Sequence, residues 1–528
     1  MDKQVTQLHE FFTVWDWGVV LAYMLFTTWI GHRLSGKQSS IKDFFLGGKT
    51  LPWWSVSGSM IATEVSALTF IGVPGMVYAT QGDWTYLQWG LGSLIARFAV
   101  AYWLVPLYYE KEIYSPYDFM GNRLGEGVRK LVTVLFSLGS ILGQSVRVLV
   151  TAIILNVVTG MDAKLCIVVI GAVAILWTFM GGMQTVIWTD VMQFVLFIFG
   201  GLLALGMLVY HLGWDQIYDL NQVTVAGEQV DKLRWVDLTS PFEKPELRYT
   251  MWVALLAMPF QNFTAFGVDQ LNTQRMFCCG NVRDARKAMC WSGVSLLITL
   301  LMLAVGAGLF AWYQANPAQG VVADAHAKGN NYVFPAWITT EVPVGVSGLI
   351  LAGAFAAAVS SLDSILAALS QTSLSIIYGR EKLEKEEKGA EMVTRSRVAV
   401  CVWGVILTFA GVGLWVVQAK DPETDLIGLA FGMVAYTYGP LLGILLAALL
   451  PLRTNFTGLL VGTCLSMSLV AWFRPELISL LDIANLKHWG EVVVESRPKL
   501  ASEWFFPLNA LLTLVAGVIG GAIGERQV

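Results

Sequence analysis

The chain of 528 residues is 55% hydrophobic and 14% charged, with a net charge of −4. Soluble domains are about a quarter charged, so this composition excludes a soluble enzyme and a disordered protein, and it gives no sign of a nucleic-acid partner. At roughly 20 apolar residues per membrane span, the apolar content suffices for about thirteen spans. The sequence therefore predicts an all-α polytopic protein embedded in the lipid bilayer.

Thirteen apolar segments of spanning length follow one another along the chain. They lie at 13–32, 53–79, 85–108, 126–158, 163–180, 186–211, 249–267, 287–313, 345–378, 398–418, 426–450, 456–473 and 505–524. The loops after odd-numbered segments hold more Lys and Arg than the loops on the other side, and cytoplasmic loops collect these residues. We therefore expect the N-terminus outside and the C-terminus inside.

Two segments have the composition of broken helices. The second contains SVSGSMIATEVSALTFIGVPG (55–75), with three glycines, one proline and Glu64. The seventh contains MWVALLAMPFQNFTAFG (251–267), in which polar residues follow Pro259. Interrupted spans in corresponding positions of two halves indicate the binding site of a transporter. The alternative is that two kinked helices pack closely through small residues.

The ninth segment, FAAAVSSLDSILAALSQTS (355–373), has a face of oxygen-bearing side chains. Ser360, Asp363 and Ser364 share one helical face, with Ser361 beside them. A carboxylate inside a span is costly and usually functional, and oxygen ligands suit a hard cation. The alternative is that the serines bond to their own helix while Asp363 pairs with an arginine.

Five stretches resemble the solute:sodium symporter family, which includes carriers of sugars, sialic acid and monocarboxylates. They are DFFLGGKTLPWW (43–54), TEVSALTFIGVPG (63–75), GGMQTVIWTDVMQ (181–193), DQLNTQR (269–275) and PVGVSGLILAGAFAAAVSSLDS (343–364). The fourth of these, which ends at Arg275, resembles the family's loop after its sixth core helix. The resemblance implies the leucine-transporter-type fold, with a five-plus-five inverted repeat. The expected parts are an extra N-terminal helix (1–32), the first repeat (53–211), the second repeat (249–450) and two C-terminal helices (456–528).

The resemblance also implies Na⁺ as the coupling ion. One Na⁺ would be held by three backbone carbonyls and two hydroxyls, those of Ala62, Val65, Ala357, Ser360 and Ser361. Some family members bind a second Na⁺, and the similar positions here are Asp190, Ser360, Asp363 and Ser364. Asp363 stands where the family pattern has a serine.

The substrate side of the site is also carried over from the sugar and sialic-acid carriers. The expected substrate-facing residues are Glu64, Ser66, Thr69, Phe260 and Asn262, with Gln88 as a candidate two residues out of register. Arg147 lies in the middle of the fourth segment, where a cation is costly. The sialic-acid carriers hold the substrate carboxylate with an arginine on this helix, and guanidinium pairs with carboxylate in a bidentate fork. The alternative is a structural pair of Arg147 with Glu64 or Asp363.

The sequence therefore predicts a symporter that couples Na⁺ entry to import of a small organic solute by alternating access, and no enzymatic activity. A sugar acid or other carboxylate is favoured as substrate, with neutral-sugar symport and proton coupling as alternatives. The compact loops favour a bacterial inner membrane. A membrane sensor of the same fold is disfavoured, because the chain ends a few residues after the last segment and no signalling domain is expected. The sequence does not indicate an oligomeric state.

Overall fold

The computed structural model describes residues 5–34, 45–111, 113, 115–180, 183–225, 228–378, 389–419, 426–473 and 500–524. This part of the chain is almost wholly helical. Its one sheet is a hairpin of two antiparallel strands, β1 (Gln222–Val225) and β2 (Glu228–Asp231).

Ten helices with both ends in the described residues precede the hairpin. They are α1 (Val14–Leu34), α2 (Trp53–Glu64), α3 (Val73–Tyr78), α4 (Trp89–Ala99), α5 (Val105–Glu110), α6 (Pro116–Leu124), α7 (Glu126–Thr159), α8 (Ala163–Met180), α9 (Met183–Leu212) and α10 (Trp214–Leu220). Two π-helical turns, Leu68–Gly72 and Val100–Leu104, lead into α3 and α5. Short 3₁₀ turns lie at Val5–Phe11, Gly47–Lys49 and Thr85–Gln88.

Twelve helices follow the hairpin in the described part of the chain. They are α11 (Met251–Leu256), α12 (Met258–Gly267), α13 (Gln270–Met276), α14 (Val282–Trp291), α15 (Ser295–Ala315), α16 (Gly320–His326), α17 (Val333–Glu341), α18 (Val346–Tyr378), α19 (Gly389–Gln418), α20 (Leu426–Leu449), α21 (Phe456–Phe473) and α22 (Phe505–Gly524). Further 3₁₀ turns lie at Ser292–Val294, Asn330–Tyr332 and Ser502–Trp504.

Among the described residues, nine helices are long and apolar enough to cross a membrane, or up to eleven if each of two bent pairs is one span. All thirteen predicted segments are helical in the described residues, but α1 and α8 are not among the helices that are long and apolar enough to cross a membrane. The count of thirteen spans is therefore not confirmed, whereas the polytopic all-α architecture is.

The first bent pair is the predicted broken helix of the second segment. Its two halves, Trp53–Glu64 and Leu68–Tyr78, meet at 57°. The helix ends at Glu64 because Val65 is extended, with φ −79° and ψ 106°. Pro74 follows the π-helical turn Leu68–Gly72 within this second half, so its missing N–H removes one bond of the helical ladder.

The second bent pair differs from the sequence prediction in where it bends. Pro259 lies in the first turn of α12, and the 57° bend falls between Gly267 and Gln270. Asp269 is extended there, and its side chain accepts a hydrogen bond of 2.8 Å from the backbone N–H of Leu271, which caps α13. Residues 269–275, which the family resemblance placed in a loop, therefore enter a buried helix.

Helix α18 is the central element around which the bent helices are arranged. It packs against α9, α1, α7 and α2, and it also contacts α13. The residues of its central turns are buried. This packing brings the oxygen-bearing face of α18 to the breaks in both bent helices, which is where an internal site is expected.

Lys232, which follows β2, connects the hairpin to the second half of the first bent helix. Lys232 is fully buried, and its Nζ donates hydrogen bonds to the carbonyls of Ala79 at 2.6 Å and Gly82 at 2.8 Å, just beyond α3. Burial lowers the pKa of this ammonium to about 8, although the carboxylate of Asp83 acts against that shift.

Candidate ion and substrate site

A cavity of about 190 Å³ lies between the breaks of the two bent helices. Five of the seven residues predicted to face the substrate line it: Glu64, Ser66, Thr69, Arg147 and Asn262. A second cavity of about 80 Å³ adjoins it and shares Glu64 and Asn262. The two breaks thus form a polar internal chamber.

Gln88 and Phe260 are not brought to this cavity. Gln88 donates to the carbonyl of Tyr249 at 3.0 Å and accepts from the backbone N–H of Asp237 at 3.3 Å. Its side chain therefore holds the loop that precedes α11. Phe260 is 39% exposed on another face of α12. Its neighbour Gln261 lines the cavity instead, because successive residues of a helix point about 100° apart.

The two arginines near the cavity are engaged differently. Arg97 is buried, forms an ion pair with Glu64 and lies 3.8 Å from the ring centroid of Phe266. Arg147 lines the cavity and donates from Nη1 to the carbonyl of Thr63 at 2.9 Å. No ion pair joins Arg147 to a carboxylate of the described residues. Because Glu64 is paired with Arg97, the structural pair between Arg147 and Glu64 is not present.

The residues predicted for the first Na⁺ are close to one another. The hydroxyl of Ser361 donates to the carbonyl of Ala357 at 3.1 Å and to that of Thr63 at 3.4 Å, which places it at the end of α2. The hydroxyl of Ser360 donates to Oδ1 of Asp190 at 2.5 Å, so its oxygen lone pairs stay available to a cation.

The carbonyl groups of Ala62 and Val65 also belong to this predicted set. Neither accepts a hydrogen bond from the residues that the structure describes, because the helix has ended at Glu64. Carbonyls released by a helix break are the groups that coordinate Na⁺ in broken-helix transporters.

Arg275 lies at the predicted second Na⁺ position, although the family resemblance placed this residue in a loop. Arg275 is fully buried and donates from Nη2 to Oδ2 of Asp190 at 3.1 Å and to the hydroxyl of Ser364. Its Nε donates to the hydroxyl of Ser59 at 2.9 Å. Oδ1 of Asp363 accepts from Ser364 at 3.2 Å. Arg275 is therefore the cation that Asp190 contacts, and the second Na⁺ site stays a prediction.

Sequence reasoning missed several polar residues of the chamber. Tyr438 lines the cavity and donates to Oδ2 of Asp269 at 2.6 Å, which joins α20 to the second break. Gln144, Gln261 and Asn272 also line the cavity. Two of these carried a usable signal, because Gln144 precedes Arg147 by one helical turn and Asn272 lies within DQLNTQR.

Two interrupted helices around a polar chamber are typical of a secondary membrane transporter with an internal binding site. Residues 44–465 match the family model described as the sodium:solute symporter family. The chain belongs to that family, as the sequence motifs predicted. It is therefore a polytopic, Na⁺-coupled membrane transporter, and the family points to a symporter of small solutes rather than to an enzyme.

Several relatives are similar over most of their length. The sodium/sialic acid symporter SiaT of Proteus mirabilis is 27% identical over 472 residues, covering 87% of this chain and 89% of the relative. The sodium/glucose cotransporter of Vibrio parahaemolyticus is 26% identical, covering 86% and 83%. The human sodium/iodide cotransporter is 25% identical, covering 87% and 70%.

The fold is also that of a solved structure. The outward-open, substrate-bound structure of a Na⁺-coupled sialic acid symporter aligns with a TM-score of 0.76 and 23% identity, covering 97% of this chain and 98% of that chain. The predicted leucine-transporter-type fold is thereby confirmed. The boundaries of the two repeats stay a prediction.

Proposed function

We propose that the protein imports a small organic carboxylate together with Na⁺ by alternating access. The observation that carries this proposal is Arg147, a cation that lines the internal cavity with no ion-pair partner among the described residues. A guanidinium without an ion-pair partner inside a membrane-spanning segment is costly. A carboxylate substrate would supply the missing partner in a bidentate fork.

The relatives agree with an anionic or polar solute without selecting one. Their names give sialic acid, glucose and iodide as transported species. Among these, the sugar acid matches both a guanidinium and a polar chamber. Glu64 already forms an ion pair with Arg97. We therefore assign Glu64 a structural role in the cavity wall rather than the binding of a cationic substrate.

Na⁺ would bind where α2 ends against α18. We assign its ligands to the carbonyls of Ala62, Val65 and Ala357 and to the hydroxyls of Ser360 and Ser361. The support for this set is that the carbonyls of Ala62 and Val65 accept no hydrogen bond from the described residues. The Ser361 hydroxyl also reaches the end of α2. Na⁺ entering at a potential of 100 mV gains about 2.3 kcal/mol per charge, which would drive uptake.

The test is uptake into proteoliposomes of N-acetylneuraminate, with and without an inward Na⁺ gradient. We expect uptake only with the gradient, and we expect Arg147→Ala to abolish it. Arg147→Lys should lower uptake at least about tenfold, because lysine keeps the charge but loses the fork. Arg248→Lys is the matched control, since Arg248 pairs with Glu503 and lines neither cavity.

Three results would contradict the proposal. Equal uptake with and without Na⁺ would remove the coupling. Uptake driven by a pH gradient alone would replace Na⁺ with protons. Full competition by D-glucose, with no competition by any carboxylate, would make Arg147 a structural residue and the substrate a neutral sugar.

A further inference from the structure

We propose that a basic and aromatic patch on α14 and its neighbours binds the phosphate of an anionic phospholipid headgroup. The patch consists of Arg283, Arg286, Lys287, Tyr102 and Trp53. It lies on the side of the membrane that the distribution of Lys and Arg predicts to be cytoplasmic. The inference does not depend on the identity of the transported solute, because none of these residues lines either cavity.

Two stripes of exposed side chains mark the edge of the surface that faces the hydrocarbon. One stripe runs along α4 and the following π-helical turn, passes through Ile95 and Phe98, and ends at Tyr102, which is 58% exposed. The other begins at Trp291, which is 57% exposed, and continues into α15. Tyrosine and tryptophan are enriched at the level of the lipid headgroups. The residues of α14 that precede Trp291 therefore lie at headgroup depth.

Three cations of α14 lie at this depth on one helical face. Arg283, Arg286 and Lys287 have the i, i+3, i+4 spacing of a shared face, and Trp291 follows Lys287 by one turn. The face therefore changes from basic to aromatic along its length. The same change from basic to aromatic groups occurs across the headgroup region of a bilayer protein.

Two of the cations are held beside aromatic rings. Arg286 donates from Nε to the carbonyl of Ala101 at 3.2 Å, and its guanidinium carbon lies 5.3 Å from the ring centroid of Tyr102. Nζ of Lys287 lies 5.7 Å from the ring centroid of Trp53. These contacts place the two charged groups at defined positions where α14 packs against α2 and the π-helical turn.

The charge of the patch is not compensated by the described part of the protein. No ion pair joins the three cations to a described carboxylate, whereas Arg395, on the same predicted side, is paired with a glutamate. Asp284, the carboxylate of α14, accepts from the side chain of Asn281 at 2.8 Å. The Nη groups of Arg286 and the ammonium of Lys287 donate no hydrogen bond to a described residue. Phosphate oxygens accept charge-assisted hydrogen bonds from both kinds of group.

The surroundings of the patch favour a lipid over a free phosphate ion. The exposed stripes that end at Tyr102 and Trp291 continue as apolar surface on which the acyl chains of a lipid can pack. A free phosphate ion would gain nothing from that surface. The headgroup would also lie against Trp53 in the first turn of α2, whose other end carries the proposed Na⁺ ligand Ala62. Basic pockets between membrane helices are known to bind anionic headgroups in this way.

The experiment is native mass spectrometry of the full, delipidated chain in detergent, titrated with palmitoyl-oleoyl phosphatidylglycerol or with the zwitterionic phosphatidylcholine of the same acyl chains. Two cations near an anionic lipid account for a factor of about 30 in affinity. We therefore expect the parent to bind the phosphatidylglycerol about 30-fold more tightly. Arg286→Gln with Lys287→Gln should bind the two lipids alike, and its unchanged binding of phosphatidylcholine shows that it is folded. Arg123→Gln with Lys130→Gln is the matched control, because it removes two exposed cations on the same predicted side.

Three results would overturn the inference. The first is equal binding of the two lipids by the parent. The second is a preference for phosphatidylglycerol that survives in Arg286→Gln with Lys287→Gln, or that is lost equally in the control. The third is displacement of phosphatidylglycerol by excess inorganic phosphate, which would make the patch a site for free anions. None of these results bears on Na⁺-coupled uptake, so the proposed function is tested separately.

Discussion

The buried contact between Arg275 and Asp190 makes a strong and asymmetric prediction for stability. Both side chains are 0% exposed. Asp363, at 5% exposure, is a second buried carboxylate close to the same guanidinium, since Ser364 contacts both. Arg275→Met leaves the buried carboxylates of Asp190 and Asp363 without a nearby cation. After Asp190→Asn, the guanidinium of Arg275 still has the carboxylate of Asp363 nearby. We therefore expect the arginine variant to lose more stability than the aspartate variant.

The magnitude follows from the geometry. Removing one partner of a buried ion pair costs about 3–5 kcal/mol. Arg275 also donates to Ser59 and to the carbonyl of Leu271, which places Arg275→Met at the upper end of that range. Asp190→Asn should fall at the lower end. The double variant should lose less than the sum of the two single variants, because contacting residues are coupled by about 0.5–3 kcal/mol.

The assay is the free energy of unfolding of purified protein in mixed micelles. Arg395→Met is the matched control, because it removes an Arg–Glu pair whose members are 39% and 50% exposed. Exposed pairs contribute about 0–1 kcal/mol. The reasoning would be refuted if Arg275→Met cost no more than the control, or if Asp190→Asn cost more than Arg275→Met. The second result would also favour Asp190 as a ligand of Na⁺.

Three further predictions concern other parts of the molecule. Ser360→Ala with Ser361→Ala should raise the half-saturating Na⁺ concentration for uptake at least about tenfold, while Ser370→Ala on the same helix should leave it unchanged. Tyr438→Phe should cost about 1.5–3 kcal/mol of unfolding free energy, because it removes a hydrogen bond to a carboxylate; no loss would contradict that bond. The pKa of Lys232 is lowered to about 8 from 10.5, so the unfolded chain binds more protons between these values and stability should rise there with pH. Lys232→Met should lack that rise, and equal pH profiles of parent and variant would contradict it.

The sequence located the first helix break because its signals are local. Glu64 and a run of small residues fall within one apolar segment, and the break lies at Val65. The helix is interrupted at Ala257, close to Pro259, but the 57° bend lies about ten residues further on. Pro259 is the strongest local signal, but a proline in a first turn costs a helix nothing. The true break at Asp269 depends on its capping of α13 and on Tyr438, which is 169 residues away in sequence.

Two predictions about the candidate site were wrong because they depend on long-range packing and on the exact direction in which a helical side chain points. Arg275 was counted as a loop cation because QLNTQRM (270–276) is polar. It is buried because its partners Ser59 and Asp190 are 216 and 85 residues away in sequence, and no local pattern shows such a pairing. Phe260 was chosen over Gln261 by family position, and an offset of one residue turns a side chain by about 100°.

Thr63 gives the proposed site a physical means of coupling. Its carbonyl accepts from Arg147 at 2.9 Å and from Ser361 at 3.4 Å, and it lies between the proposed ligand carbonyls of Ala62 and Val65. A carboxylate on Arg147 and a Na⁺ beside Ser361 would therefore act on the same stretch of backbone at the end of α2. Binding free energies are linked reciprocally, so Na⁺ should raise substrate affinity by the factor by which substrate raises Na⁺ affinity. Calorimetric titrations in both orders would measure that factor, and a factor of one would show that the two sites are independent.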